Sequence, residues 1–134
     1  MRKIFLALPA TGAAAAVAAL AIPSVSIAED EVPLWQQARS VGTAENCISL
    51  NRIRNTRVHD DRTIDFHMSG GNIYRNTLPN ECNGLGFEES FSYRTSLNRL
   101  CSTDIITVIR AGGSISGPSC GLGQFEPIEL PERG

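Results

Sequence analysis

An alternation of apolar and polar residues between positions 58 and 78 constrains this chain more than any other feature. Ile64, Phe66 and Met68 occupy every second position, and the residues between them are polar. This period of two is typical of a strand with one face in a core. Turn-forming residues interrupt the alternation twice, so we predict three antiparallel strands in succession. The two turns are expected at residues 60–62 and 69–72.

The first turn also fixes a register. If residues 60–62 form a three-residue loop, Val58 faces Ile64 on the apolar side and Arg57 faces Asp65 on the polar side. A two-residue loop would place Arg57 beside Ile64 instead. Because a one-residue slip moves every side chain to the other face, we predict the three-residue loop.

The rest of the chain suggests more short strands and no amphipathic helix. A break in the alternation near Ile53 indicates a bulge, and the β-branched run 104–109 predicts a strand buried on both faces. Residues 111–119 are expected to form a flexible loop. We predict an all-β domain of about seven short antiparallel strands, as a partly closed barrel or, second, a sandwich. The further strands are expected at 47–51, 87–93, 104–109 and 122–128.

The N-terminus has the features of an export signal. Arg2 and Lys3 precede an apolar run over residues 4–22, and the small residues Ser26 and Ala28 form a cleavage site. The alternative is an uncleaved membrane anchor. The predicted organisation is a signal peptide at 1–28, a loosely ordered segment at 29–46, a β-domain at 47–128 and a disordered tail at 129–134.

Charge limits the partners of the mature chain. Removing 28 of the 134 residues leaves 106, with 10 basic and 14 acidic residues and a net charge of −4. A mildly acidic domain is a poor candidate for binding nucleic acid or anionic membranes. We expect a periplasmic or secreted protein, a monomer, with no membrane association after cleavage. In the segment before residue 47, Trp35 is expected to plug a barrel end or, alternatively, to form an exposed contact.

The four cysteines all lie in the mature region, and we expect two disulfides in an oxidising compartment. A zinc site is the alternative, but the cysteines lack the close pairing typical of zinc ligands. Three disulfide pairings are possible. We favour Cys47–Cys120 with Cys82–Cys101, because terminal strands often neighbour each other in small barrels.

Several of these residues resemble a known family. Cys47, the 60–63 turn, Leu78, Cys82 and the later cysteines match the pattern of small exported proteobacterial proteins with four cysteines, catalogued only as a domain of unknown function. The resemblance covers roughly residues 47–127. It implies export and a compact cysteine-bearing domain, and it implies no activity, ligand or catalytic residue.

Two side-chain groups invite a functional interpretation. The first group is His59, Asp60, Asp61 and His67, which could form a metal site or a histidine-based nuclease site. Four residues of strand would separate the two histidines by roughly 13 Å, too far to share one metal or one phosphate. We therefore predict no catalytic residue, no metal and no cofactor here, and interpret the group as a solvated strand face with an acidic turn. The second group consists of arginines interleaved with acids on the same strands. We interpret it as a charge-paired outer sheet face, with an anion-binding site as the alternative.

These observations favour a non-catalytic binding or interaction module of the bacterial envelope, with an envelope protein as partner. Arginine and tyrosine often anchor interfaces, so the predicted binding residues are Arg57, Tyr74 and Arg75. The alternative is a small secreted, nuclease-like hydrolase that uses His59 or His67 with an arginine. A third class is a structural or stress-related envelope protein.

Overall fold

The computed structural model of the protein describes residues 11–24, 31–112 and 117–132. The chain divides into two units, Met1–Glu31 and Val32–Gly134. In the first unit, residues 11–24 are exposed and lie in neither helix nor strand. The predicted cleavage site after Ala28 falls outside the described residues. None of the helices in the described ranges has the length and apolar character needed to cross a membrane.

The second unit is built almost entirely of short strands, which confirms the all-β prediction. In the described part of this unit, the one α-helix, α1, is a single turn, and 3₁₀ helices cover Leu34–Gln37 and Leu50–Arg52. The described elements are β1 Arg39–Ser40, β2 Cys47–Ser49, β3 Ile53–Val58, β4 Thr63–Met68, β5 Ile73–Thr77, α1 Leu85–Glu88, β6 Phe91–Tyr93, β7 Arg99–Cys101, β8 Ile105–Val108, β9 Ser119–Gly121 and β10 Phe125–Glu129.

These ten strands form three antiparallel sheets among the described residues. The largest sheet has the order β1-β10-β5-β4-β3, a second pairs β2 with β7, and a third has the order β6-β8-β9. The sheets do not close into a barrel. The five-stranded sheet therefore keeps two edges, β1 and β3.

The central hairpin has the predicted register. Val58 pairs with Ile64 and Arg57 pairs with Asp65, so the loop at 60–62 has three residues. The register shifts between Ile53 and Asn55, which confirms the bulge. The 69–72 turn is also confirmed, because Gly70 and Gly71 both adopt a positive φ, near 89° and 88°, that residues with a Cβ rarely take.

The core lies against the inner face of this sheet. Ile64 and Phe66 are fully buried, and Met68 is nearly so. Phe66 meets Phe125 of β10 edge to face, with 5.4 Å between ring centroids. The apolar residues of the other two sheets complete the same core. They include Ile48, Leu100, Ile106 and Val108.

Four strand predictions need correction. The strand expected at 47–51 ends at Ser49, because a 3₁₀ helix begins at Leu50. Residues 87–90 do not join β6; Leu85–Glu88 form α1, and Glu89 ends it with a φ of 53°. β8 is buried on one face only, since Ile105 is 57% exposed while Ile106 is fully buried. The strand expected at 122–128 begins only at Phe125 and runs to Glu129. Of the predicted loop at 111–119, residues 113–116 fall outside the described ranges.

The domain has two disulfides, one within the β2–β7 sheet and one from the loop after β5 to β9, but the predicted pairing is wrong. The bridges are Cys47–Cys101 and Cys82–Cys120. Cys47 pairs directly with Cys101 across β2 and β7, with 4.0 Å between their Cα atoms. The strand that neighbours β10 is β1, which contains no cysteine, so the proximity of chain ends does not bring Cys47 to Cys120.

Candidate binding face

The outer face of the five-stranded sheet gathers the polar residues of three strands. Arg57 of β3 pairs with Asp65 of β4, and Asp65 pairs with Arg75 of β5. Directly paired residues share a face of a sheet. The three charged side chains therefore lie in a row across the strands, on the side away from Phe66.

Asp65 is the centre of this row. It is fully buried, and both of its carboxylate oxygens are engaged. Arg75 donates from Nε to Oδ1 at 2.7 Å and from Nη2 to Oδ2 at 2.9 Å, a bidentate pair. His59 Nε2 lies 2.8 Å from Oδ2. The predicted charge pairing exists, but the side chain of Asp65 bonds to Arg75 and His59 rather than to Arg57, its neighbour in register. The Asp65 carboxylate is also buried, whereas a solvated face was expected.

Trp35 covers the two side chains that hold Asp65, those of His59 and Arg75. Its indole stacks on the His59 ring with a centroid distance of 4.6 Å and an interplanar angle of 6°. The guanidinium carbon of Arg75 lies 5.7 Å from the same indole, within cation–π range. β1 follows this 3₁₀ helix and pairs with β10, which brings Trp35 over the sheet. Trp35 thus lies on an outer face rather than at a barrel end.

Beside this cover lies an open cleft of about 420 Å³. The polar residues that line it are Arg57, His59, Asp65 and His67. Its apolar wall is formed by Trp35 and three further residues from the segments before β1 and after β10. Burial, the largest influence, lowers the pKa of His67, and Arg57 and His59 also lower it while Asp65 opposes them. The apolar residues besides Trp35 are Leu34, Leu130 and Pro131.

The charge balance of the cleft favours an anion. Asp65 is offset by Arg75, and His67 is shifted towards its neutral form. Among the described residues, Arg57 has no carboxylate within ion-pair distance, and its side chain is exposed. An unpaired guanidinium beside an apolar wall can bind a carboxylate together with a neighbouring apolar group.

The three predicted binding residues do not form one patch. Arg57 and Arg75 share the outer face, but Tyr74 pairs with Phe66 and packs against the core on the inner side. Burial, followed by the nearby Glu45 carboxylate, raises the pKa of Tyr74. Arg75 serves to hold Asp65, which leaves Arg57 as the predicted residue that is available to a ligand.

A second open cleft, of about 490 Å³, lies over β6 and β8. Its acid, Asp104, accepts a hydrogen bond from the Cys101 backbone N–H at 2.7 Å and thereby shapes the turn between β7 and β8. No ion pair occurs among the described residues that line this cleft. No group of three potential metal ligands occurs in the described part of the chain.

Comparisons with protein-family models, with curated proteins and with solved structures gave no match for this chain. The resemblance to a family of small exported proteins therefore stays a prediction.

Proposed function

We propose that the protein is an exported, non-catalytic binding module that recognises a partner protein of the cell envelope through the outer face of its five-stranded sheet. One observation carries this proposal: Arg57 is exposed and unpaired among the described residues, beside a cleft whose carboxylate is already neutralised. Such a surface offers one positive charge and apolar contact area. Both are typical of interface anchors.

The histidine at the centre of the face is held rather than poised for catalysis. His59 Nε2 contacts Asp65, and one face of its ring is covered by Trp35. Its side chain is 16% exposed. A general base needs hydrogen-bond reach to the proton that it removes, and these contacts leave His59 little access to a substrate. This supports binding over hydrolysis.

The compartment follows from the bridges. Two disulfides indicate an oxidising environment outside the cytoplasm. Together with the signal-like N-terminus, they support export to the periplasm or beyond as part of the proposal.

Crosslinking in living cells tests the proposal. The tagged protein is crosslinked in the cells that express it and purified, and its partners are identified. One recurrent envelope protein is expected with the wild type, and at least fivefold less of it with Arg57→Ala. Arg99→Ala, which removes an exposed arginine from β7, is the matched control and should leave recovery unchanged. Arg75→Ala is unsuitable because it would unpair the buried Asp65. Equal recovery with both variants would contradict the proposal.

One observation supports the alternative function, a nuclease-like hydrolase. His59 and His67 line the same cleft; His59 lies beside Thr63 at one end of β4, and Asp65 lies between Thr63 and His67 on that strand. A purified protein that cleaves RNA or DNA, and loses this activity in His67→Gln, would favour it. We expect no turnover above that of His67→Gln.

A further inference from the structure

Strand β3 is a free edge of the five-stranded sheet. Within the described residues it pairs only with β4, and its four middle residues, 54–57, are all exposed. The opposite edge, β1, has only two residues and is joined to β10 by the Arg39–Glu129 ion pair. A six-residue open edge is a template for pairing with another extended chain.

The register shows which backbone groups face outward. The His59 N–H donates to the Thr63 carbonyl at 2.9 Å, so this pair is hydrogen-bonded. Hydrogen-bonded and non-hydrogen-bonded pairs alternate along an antiparallel ladder. The pair of Thr56 with Phe66 is therefore non-hydrogen-bonded, and the N–H and C=O of Thr56 point away from β4. Neither group has a backbone partner in the described part of the chain.

The charges along this edge select the partner. Arg54 and Arg57 are both exposed on β3, and the bulge at Arg54 limits regular pairing to residues 55–58. A second copy of the same edge would bring four arginines together with no acidic residue on either strand, which is unfavourable. A strand that carries carboxylates would instead face them with opposite charge.

We propose that an extended acidic segment of the partner protein adds to the edge of β3 as a sixth strand of the sheet. This proposal rests on the proposed function, because it describes how that partner is recognised. One residue of the segment exchanges two backbone hydrogen bonds with Thr56. The next residue lies across from Arg57, shares its outer face, and provides the carboxylate. An apolar residue two positions along the segment, which shares this face, reaches the cleft wall formed by Trp35.

Peptide binding tests this recognition. The probe is a blocked octapeptide in which glutamate and valine take turns at every second position, on one face, with threonine at the positions between them. The control peptide has lysine in place of glutamate. Trp35 is the single tryptophan and borders the cleft, so its fluorescence reports binding to the mature protein. We expect saturable binding of the acidic peptide only, weakened about fivefold by Arg57→Ala.

A backbone variant separates strand addition from side-chain binding. Thr56→Pro removes the outward N–H without breaking a bond to β4, and should weaken binding roughly fivefold to tenfold. Thr56→Val keeps the N–H and should bind like the wild type. Hydrogen exchange on the wild type needs no variant: the acidic peptide should slow exchange of the Thr56 amide.

The outcomes distinguish the two proposals. Strand addition is wrong if Thr56→Pro binds the peptide as tightly as Thr56→Val and the Thr56 amide stays unprotected. If Arg57→Ala still weakens peptide binding in that case, the outer-face proposal stands. If the acidic peptide binds no better than the lysine peptide, the acidic-strand proposal is overturned. Recovery of the envelope partner in the Arg57 crosslinking experiment judges the proposed function separately.

Discussion

Substitution of Asp65 by asparagine removes the charge at the centre of the outer face while keeping the shape of the side chain. In the wild type, the carboxylate accepts two hydrogen bonds from Arg75, at 2.7 and 2.9 Å, and contacts His59 at 2.8 Å. An asparagine side chain has one oxygen and one NH₂ group in place of the two carboxylate oxygens. Its NH₂ group would face either the Arg75 guanidinium or His59, in place of an oxygen that now accepts a hydrogen bond. It would also leave Arg75, whose side chain is only 14% exposed, without a counter-charge. Removing one partner of a buried pair costs about 3–5 kcal/mol.

Urea unfolding with the disulfides intact measures this cost. With an m value of about 1.5 kcal/mol per M, a loss of about 3 kcal/mol in the free energy of unfolding lowers the midpoint by about 2 M. The control is Glu126→Gln, because Glu126 also pairs with Arg75 in register but is exposed. It should change stability by less than about 0.5 kcal/mol.

A double substitution isolates the pair. Arg75→Met in the Asp65→Asn background removes the unpaired guanidinium, so the double variant should be more stable than the sum of the two single losses predicts, by at least about 1 kcal/mol. If Asp65→Asn lowers the midpoint no more than Glu126→Gln does, the buried network does not stabilise the fold, and the reasoning fails.

Three further predictions concern the rest of the domain. Gly123→Ala should lower the free energy of unfolding by about 1–3 kcal/mol, because an added Cβ would clash with the Thr77 carbonyl oxygen; a thermal melt unchanged from the wild type would refute this. Since burial lowers the pKa of His67, its neutral form is favoured by folding, and stability should fall as the pH drops below about 6.5; His67→Gln should reduce this acid loss, measured by urea midpoints from pH 7.5 to 5. Replacing Cys82 and Cys120 by alanine should cost about 2–4 kcal/mol, and peptide mapping of the unreduced protein should recover these two cysteines in one linked fragment.

The hairpin could be predicted from sequence because its register depends on local information. The alternation on either side of residues 60–62 admits one loop length that puts Val58 and Ile64 on the same face, and the structure has that loop. The bulge near Ile53 was visible for the same reason, as a break in the alternation.

The disulfide pairing could not be predicted because it depends on the order of strands in space. Cys47 and Cys101 are far apart in sequence, and only the pairing of β2 with β7 brings them together. Each of these strands has three residues, too short for any periodic signal. The rule that chain ends neighbour each other does hold, but for β1 and β10 rather than for the cysteine-bearing strands.

Only part of the candidate site could be predicted from the sequence. The register predicted from the sequence placed Arg57 and Asp65 on one face, but it did not extend to Arg75, and nothing near Asp65 in the sequence indicates that it is buried. The burial depends on Trp35, thirty positions earlier in a polar segment. A lone tryptophan beside Leu34 in that segment was the available signal, and it indicated a covered surface without identifying which one.

Site-specific photocrosslinking tests the central claim, that the outer face beside β3 is a binding surface, most directly. A photoreactive residue replaces Asn55, which is exposed on β3 two positions from Arg57 on the same face, or Ser119, an exposed position of β9, as control. In illuminated cells, position 55 should give one discrete adduct with an envelope protein, and that adduct should be lost when Arg57→Ala is added. Equal adducts from both positions, or none from position 55, would contradict the account.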